Sequence, residues 1–245
     1  MFPSIVMLHH VSDSPAYKSL KPYSITTKTF IRLLDFIERS NYQTITFNDI
    51  VSEEKNLLFS KNKIILTFDD CSKSLFDFAI PELIKRNLNA VFYIPTAHIG
   101  SYNSWDIETG KKGIEIMNEK DLRELIKFKM EIGSHSHHHI KLKNLDRAEV
   151  EKEVTISKKI IENITGKKIY SFAYPYGSVP KQYKQILKAA GYLYATAIYY
   201  PFQNNFALRR FIYHDGDTEK TLSLKISKLY HLYRCFRDLL HSIIY

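Results

Sequence analysis

The stretch KIILTFDD, residues 63–70, decides the fold class of this 245-residue chain. A short apolar run of this kind is typical of a strand that is buried on both faces, as in a parallel sheet. Two carboxylic acids follow the run directly, and in parallel α/β folds functional groups gather at the carboxyl ends of the strands. Capping of the following helix is the simpler interpretation, but one acid is enough for that. Asp69 and Asp70 therefore also suggest a site, because neighbouring side chains point in different directions and can take different roles.

The rest of the chain alternates between short β-rich runs and segments with helical periodicity. This alternation predicts a parallel sheet covered by helices, either open or closed into a barrel. No repeat, low-complexity tract or Gly/Ser linker divides the sequence, so we expect one domain. The predicted strands are 4–8, 43–46, 63–68, 89–94, 130–133, 169–174, 193–198 and 207–213, and the predicted helices are 27–40, 73–86, 118–129, 146–164, 180–190 and 218–242.

The composition is that of a soluble globular protein, with 44% hydrophobic residues, 25% charged residues and a formal charge of +9. Positive charge favours anionic partners, but no zinc finger, RNA-binding aromatic motif or basic-region helix is present, so we expect no nucleic-acid binding. The N-terminal run at 1–10 is short and lacks basic residues, which indicates a strand rather than a signal peptide. No run has the roughly 20 apolar residues of a membrane span. We expect a cytoplasmic protein, at most peripheral to a membrane.

Four histidines lie within five residues after the predicted strand 130–133. His135 and His139 are four positions apart, so they share one face of a helical turn and can chelate one ion. A carboxylate together with two imidazoles leaves coordination positions open for water and substrate, as a catalytic Zn²⁺ site requires. A solvated His-rich loop without a ligand is the alternative.

Aromatic residues follow two further strands. The segment YSFAYPYG, residues 170–177, runs from a strand into a turn shaped by Pro and Gly, and Trp105 follows the predicted strand 89–94. The simpler interpretation of the first segment is an ordinary turn after a strand. The simpler interpretation of Trp105 is a residue that packs its loop against the core. The other interpretation is that Tyr176 and Trp105 stack on a sugar ring, since aromatic side chains combine apolar faces with polar tips.

Together these motifs resemble the polysaccharide deacetylase family, also called the NodB-homology family or carbohydrate esterase family 4. TFDD at 67–70 is similar to its first motif, and HSHHH at 135–139 matches its H-[ST]-x-x-H motif. Order and rough spacing agree from about residue 4 to residue 215. The other similar segments are FAYPYG at 172–177, the opening strand IVMLHHV at 5–11 and the late strand LRRF at 208–211.

The resemblance implies a distorted (β/α)7 barrel as a single deacetylase domain over 1–217, followed by a C-terminal amphipathic helix in 218–245. It implies that Asp70, His135 and His139 hold a divalent metal, most commonly Zn²⁺, with Co²⁺, Ni²⁺ or Mn²⁺ as substitutes. Asp69 is then the general base, because a carboxylate that does not bind the ion is free to accept a proton. The ion lowers the pKa of water and polarises the substrate carbonyl.

The chain departs from the family pattern at two positions near the acids and the third motif. Cys71 stands where the family usually has Gly, which would narrow the site or add a soft group beside the metal. Ala173 stands where many members have an Arg that orients the base. We expect Arg210, on the late strand, to supply that charge instead.

The family's last motif, L-x-H, provides the acid that protonates the leaving amine, and this chain has no clean copy of it. His214 in the segment YHD is the nearest candidate, and His9 and His137 are the alternatives. The predicted catalytic group is therefore Asp69, His214 and Arg210. The predicted substrate contacts are Tyr176, Trp105, His9 and Cys71.

The resemblance implies an enzyme that removes an N-acetyl or related N-acyl group from an amino sugar, in a polysaccharide or a lipid-linked glycan. One alternative is an O-acetyl sugar esterase that uses the same metal site. The other is a catalytically weak barrel that binds carbohydrate. The esterase would cleave an ester bond instead of an amide bond, and the binding barrel would cleave no bond.

The C-terminal segment 218–242 carries apolar residues at three-four spacing, with lysines and arginines at other positions. A final helix that covers the barrel is the simpler interpretation. The alternative is a basic amphipathic helix that rests on an anionic membrane. That alternative favours a lipid-linked sugar at the cytoplasmic face as the substrate.

Overall fold

The computed structural model describes residues 2–15, 18–52, 62–105, 107, 113–198, 200 and 203–244. The strands are β1 Ser4–Leu8, β2 His10–Val11, β3 Ser24–Ile25, β4 Gln43–Thr44, β5 Lys63–Asp69, β6 Val91–Ile94, β7 Glu131–Ser134, β8 Ser171–Ala173, β9 Tyr194–Ala197, β10 Leu208–Arg209 and β11 Phe211–Ile212. The α-helices of the described ranges are α1 Thr27–Arg39, α2 Phe47–Ser52, α3 Ala79–Lys85, α4 Glu119–Lys127, α5 Arg147–Thr165, α6 Tyr183–Ala189, α7 Glu219–Ile226 and α8 Lys228–Ile244.

The main sheet is parallel and nearly closed into a barrel. Its strand order is β10-β9-β8-β7-β6-β5-β1-β11, and β4 pairs with β5 at one side. Strands β10 and β11 are the two halves of one short segment: Leu208 and Arg209 pair with β9, whereas Phe211 and Ile212 pair with β1. This segment joins the two ends of the sheet, so the predicted barrel is confirmed.

Side-chain alternation divides the core into two layers. Val6, Leu66 and Phe68 belong to the large cluster that packs against the helices, whereas Ile65 and Tyr93 belong to a smaller cluster with other inward positions of the strands. Asp69 has the same parity as Ile65 and so points into the barrel at the carboxyl end of β5. A buried strand thereby delivers a polar group to one end of the barrel interior.

The longest covering helix among the described residues begins and ends where its sequence predicts. The Asp146 side chain accepts the backbone N–H of Glu149, and the Glu149 side chain accepts the backbone N–H of Asp146, which forms a capping box. Gly166 closes α5 in the left-handed conformation, with φ of 66°. The predicted caps of this helix are confirmed.

Two predicted helices are wrong in extent. The helix expected over 73–86 is a 3-10 segment, Lys73–Asp77, followed by α3, because Phe78 has non-helical angles of −147° and −53°. The helix expected over 218–242 breaks at Ser227, whose backbone is extended and whose hydroxyl accepts the backbone N–H of Tyr230. Serine favours such caps because its short side chain competes for local backbone groups.

The break at Ser227 divides the apolar stripe of the C-terminal segment. On α7, Leu222 is buried against the barrel, but on α8 Leu229 and Phe236 are 72% and 70% exposed. The inward side of α8 instead carries the buried polar residues Arg234 and Asp238. None of the helices within the described residues is both long enough and apolar enough to cross a bilayer.

Candidate active site

A sharp turn at the end of β5 separates the two acids. Asp69 ends the strand, and the next residues, Asp70 and Cys71, have φ values of 66° and 53°. Asp tolerates this left-handed region, but Cys does so only at a cost, and Gly does so freely. The positive φ at position 71 accounts for the glycine of the family pattern. Both carboxylates lie near His135, but Asp69 pairs with Arg210 and Asp70 lies beside His139.

The metal-ligand candidates converge. The Oδ1 atom of Asp70 lies 3.2 Å from Nε2 of His139 and 3.6 Å from Nε2 of His135. Each residue offers one ligand atom, and these atoms all lie within 4.8 Å of one another. His135 donates its Nδ1–H to the carbonyl oxygen of Ala173 at 2.8 Å, so its Nε2 lone pair faces the carboxylates.

The three residues fit a divalent cation. Oδ1 of Asp70 is buried and has no hydrogen-bond partner among the described residues, which is the environment that a cation would satisfy. Burial lowers the pKa of His135 to about 4, so this imidazole is neutral at pH 7, as a metal ligand must be. Burial by itself raises the pKa of Asp70, but the neighbouring His139 lowers it below its usual range. Two imidazole nitrogens and one carboxylate oxygen are ligands that suit Zn²⁺.

Arg210 holds the second acid. Its Nη1 donates to Oδ1 of Asp69 at 2.6 Å and its Nη2 donates to Oδ2 at 2.7 Å, a bidentate pair inside the barrel. Nη1 also donates to Oγ1 of Thr67 at 3.1 Å. Burial raises the pKa of Asp69, but the Arg210 charge and then His135 bring it below its usual range. The positive charge that the third motif lacks thus comes from the closing segment of the barrel.

Three histidines were candidates for the general acid, and the structure places only one of these three beside the two carboxylates. Nε2 of His9 lies 3.9 Å from Oδ2 of Asp69, and the side chain is 13% exposed at the cavity wall. His214 is exposed, does not line the cavity, and hydrogen-bonds through its backbone N–H to Asp217. His137 hydrogen-bonds to the hydroxyl of Thr96 and also lies outside the cavity lining. The placement expected for His214 is therefore wrong, because the chain turns outward after β11.

Cys71 is also not where the sequence suggested. Its side chain is fully buried in the core cluster and does not line the cavity. Burial, together with the neighbouring acids, raises the pKa of its thiol well above the usual value, so the group is a neutral thiol at pH 7. A contact between Cys71 and a substrate is excluded by this burial.

The cavity beside the acids has a volume of about 250 Å³ and aromatic walls. The Trp105 ring stacks on the His139 ring with centroids 3.9 Å apart, so it packs against a metal-ligand candidate and lines the cavity at once. The Tyr176 ring centroid lies 4.8 Å from that of His139, and Tyr176 is 42% exposed. Both aromatic residues are at the cavity, as expected.

Two wall residues had no sequence signal. Asn103 is 4% exposed; its side chain accepts the backbone N–H of Ile114 and donates to the carbonyl of Trp105 at 2.7 Å, which fixes the Trp105 loop. Tyr23 lies with its ring centroid 5.2 Å from that of His9. Neither residue belongs to a motif: Asn103 lies in a loop, and Tyr23 ends the 3-10 segment Lys18–Tyr23, so only the fold brings them to the cavity.

Backbone strain is concentrated at this site. Five non-glycine residues with positive φ lie at the cavity, beside it or within the histidine motif. Such conformations cost about 1–3 kcal/mol each and persist only where the surrounding structure enforces them, which is common at functional sites. The five residues are Asp70, Cys71, Ser136, His139 and Tyr176.

Comparisons with known proteins agree with this geometry. Residues 58–195 match the family model for polysaccharide deacetylase. The chain is 24% identical over 190 residues to a poly-beta-1,6-N-acetyl-D-glucosamine N-deacetylase of Staphylococcus aureus (strain MRSA252), covering 74% of this chain and 63% of the relative. It is 25% identical over 188 residues to the protein of that name from Staphylococcus epidermidis, with the same coverage. The chain thus spans 63% of the length of these curated relatives.

Solved structures show the same fold. A deacetylase of Streptococcus pyogenes in complex with acetate superposes with a TM-score of 0.77 at 19% identity, covering 93% of this chain and 99% of that one. A polysaccharide deacetylase from Bacillus cereus superposes with a TM-score of 0.73 at 20% identity, covering 91% of this chain and 68% of that one. At these sequence identities, the superpositions show a shared barrel fold.

Proposed function

This chain belongs to the polysaccharide deacetylase family, and we propose that it is a metal-dependent hydrolase that removes N-acetyl groups from amino sugars in a glycan. One observation carries the proposal: Asp70, His135 and His139 converge beside a second acid, Asp69, at an aromatic-walled cavity. Names of relatives support the amide as the bond that is cleaved, since they are N-deacetylases of a poly-N-acetylglucosamine.

Asp70, His135 and His139 would hold the divalent cation, with Zn²⁺ favoured by their donor set. When bound, the cation supplies Lewis-acid chemistry, which lowers the pKa of water and polarises a carbonyl. Asp69 is proposed as the general base. An ionised carboxylate has about four acceptor sites, and Arg210 uses one on each oxygen of Asp69. The remaining acceptor sites can take up a proton.

Arg210 is a positioning residue in this proposal. Its planar, bidentate contact fixes the orientation of the Asp69 carboxylate. It also keeps that carboxylate ionised inside the barrel, where burial alone would favour the protonated form. A base held in one orientation and in its ionised form is ready for proton transfer.

The proton for the leaving amine is proposed to come from His9 rather than His214. His9 lines the cavity beside Asp69, whereas His214 is on the outer surface. Proton donation needs the donor within hydrogen-bond reach of the leaving nitrogen or one water away, and a cavity-lining imidazole meets that condition. Tyr23 packs against the His9 ring and keeps it at the wall.

The substrate is proposed to be an N-acetylated glycan whose sugar ring stacks on the exposed Tyr176 ring. One face of Trp105 is taken by His139, so Trp105 contributes its remaining surface to the wall. Acetate release from β-1,6-linked N-acetylglucosamine oligomers, measured against O-acetylated xylan, tests the proposal. Release from the ester substrate alone would make the protein an O-acetyl esterase, and release from neither would leave a binding barrel.

We also propose that the protein contacts an anionic membrane through α8 and takes a lipid-linked or membrane-associated amino sugar. The outer face of α8 carries large apolar residues, among them Leu232 at 68% exposure and Phe236 at 70%. Burial of one such side chain is worth about 1.5–3 kcal/mol. Lys225 and Arg234 pair with buried carboxylates, so apolar area rather than charge supports this contact. Cys71 is a buried thiol that forms no disulfide, which suits a reducing, cytoplasmic location.

Vesicle sedimentation tests the membrane contact. The wild-type protein is expected to sediment with vesicles that contain an anionic phospholipid, and the double variant Leu232→Glu/Phe236→Glu is expected to stay in solution, because carboxylates oppose burial in the interface. Leu193→Glu, at another exposed apolar residue (43% exposed), is the matched control and should still sediment. A wild-type dimer that the double variant abolishes, without any vesicle binding, would assign this face to a second copy of the chain.

A further inference from the structure

The barrel is closed by a very short segment, residues 208–212, which we call the seam. On one side, Leu208 and Arg209 pair with β9, and on the other side Phe211 and Ile212 pair with β1, so each side has two register pairs. The neighbouring pairing of β1 with β5 has five. Arg210 lies at the changeover between the two sides. The residue that holds the Asp69 carboxylate therefore sits where only two register pairs hold the strand on each side.

Helix α8 forms hydrogen bonds to this seam through one arginine. Nη2 of Arg234 donates to the carbonyl oxygen of Ile198 at 2.6 Å, and its Nη1 donates to the carbonyl oxygen of Arg210 at 3.4 Å. Ile198 follows β9 and lines the cavity. A single guanidinium thus connects the end of β9 to the changeover residue, and its fixed fork of donors suits two such contacts better than a lysine ammonium does.

A buried carboxylate orients that arginine. Asp238, one turn further along α8, lies 3.3 Å from Nε of Arg234 and 3.2 Å from Nε of Arg209. Asp238 is 1% exposed, and the two arginines are 5% and 8% exposed. Burying such groups costs several kcal/mol per ion, so the cluster is a weak source of stability; its directional contacts can instead fix how two elements sit against each other.

The exposure pattern of α8 supports the same conclusion. The helix turns Arg234 and Asp238 toward the barrel and leaves large apolar residues exposed, namely Leu229, Leu232 and Phe236. A helix that served only as a cover would bury that apolar face instead. We relate the inward position of Arg234 to its hydrogen bonds with the backbone carbonyls of Ile198 and Arg210. Asp238 faces inward beside the side chains of Arg234 and Arg209.

We propose that Arg234 and Asp238 are positioning residues that clamp the barrel seam and so hold Arg210 against Asp69. This rests on the proposed function, in which Asp69 is the base. Loss of the clamp lets the changeover move, and a displacement of about 1 Å at a catalytic group can lower the rate by up to about a hundredfold. The metal-ligand candidates lie on other segments and keep their places.

Hydrogen exchange of the whole protein tests the clamp without any activity. In Arg234→Gln, peptides spanning 207–213 and 194–198 are expected to exchange at least about fivefold faster, while peptides from β5 and β7 keep their protection, because local opening is confined to the segment that loses its contacts. Arg39→Gln is the matched control: it removes an exposed arginine that pairs with Glu219 on α7 and should change neither peptide. Unchanged exchange at 207–213 in a folded Arg234→Gln protein would overturn the proposal.

Kinetics test the consequence. Arg234→Gln and Asp238→Asn are expected to lower kcat by about tenfold or more with KM changed less than about twofold, and Arg234→Lys is expected to recover only part of the loss. In an Arg210→Lys background, Arg234→Gln should add little, because both changes act through the same contact. Additive losses, or a loss confined to KM, would overturn the positioning role. If the wild-type protein releases no acetate, the proposed function fails, while the exchange measurement still decides the clamp.

Discussion

Replacement of Arg210 by Gln separates the electrostatic role of this residue from simple packing. Asp69 is 3% exposed and both of its oxygens accept from Arg210, at 2.6 and 2.7 Å. Without the guanidinium, a buried carboxylate is left without its charge partner. Breaking a buried pair in this way costs about 3–5 kcal/mol of unfolding free energy. We expect a loss of that size at pH 7.

The pH dependence of that loss has a defined sign. In the wild-type protein the folded-state pKa of Asp69 is below its usual range, so its stabilising contribution is present above about pH 4 and is lost only as the pH falls through the folded-state value. In Arg210→Gln, burial raises the folded-state pKa instead. His135, whose pKa is about 4, is neutral over most of this range and does not replace the missing charge.

The destabilisation of Arg210→Gln is therefore greatest at neutral pH and shrinks on acidification, as the variant's Asp69 takes up a proton. Below the raised pKa, the difference in unfolding free energy between the two proteins should fall by up to about 1.4 kcal/mol per pH unit. Urea unfolding between pH 5 and 8, with a chelator present, measures this difference. Arg147→Gln is the control, because it removes an exposed pair with Glu151 and should cost about 0–1 kcal/mol at every pH. A difference that stays constant with pH would refute the electrostatic argument.

Four further variants test the proposed catalytic and metal-binding roles. Asp69→Asn should retain metal, measured by elemental analysis, but lose turnover by about a hundredfold or more, because the amide keeps the shape and loses the basicity. Asp70→Ala should lose metal affinity, so that titration with Zn²⁺ or Co²⁺ restores part of the acetate-release rate; an unchanged metal content would contradict its role as a ligand. His9→Gln should lower kcat by about a hundredfold and His214→Gln should leave it near the wild-type value, and the reverse order would return the acid role to His214.

Local patterns in the sequence were sufficient for much of the architecture. The apolar run at 63–68 predicts β5 because alternation and burial are properties of neighbouring residues. The Asp146 cap and the Gly166 stop of α5 follow from hydrogen bonds that span three or four positions. The spacing of His135 and His139 likewise marked both as candidate ligands for one ion, although residues 135–139 form no helical turn and Ser136 and His139 have φ values of 64° and 56°. Each of these inferences needs only groups that are close along the chain.

Other features depend on contacts between distant parts of the chain. Arg210 meets Asp69 across 141 positions, and the segment that carries it can do so only because the barrel closes there. By sequence, His214 was the nearest candidate for the general acid and His9 an alternative, but the tertiary structure places His9 at the cavity and His214 on the surface. The apolar stripe of 218–242 has one periodicity, yet α7 buries its share and α8 exposes it.

The sequence by itself thus determined most of the main-sheet strands and covering helices, the metal-ligand candidates and the family, because periodicity, capping and short-range spacing are local properties of the chain. The family resemblance suggested Arg210 as the charge beside Asp69, but only the tertiary structure gives the contact itself. Tertiary structure alone decided that Cys71 lies in the core and which face of α8 meets the barrel. The physical reason is that burial and ion pairing depend on which distant groups share a low-dielectric space. That depends on how the whole barrel closes, and no single segment contains the information.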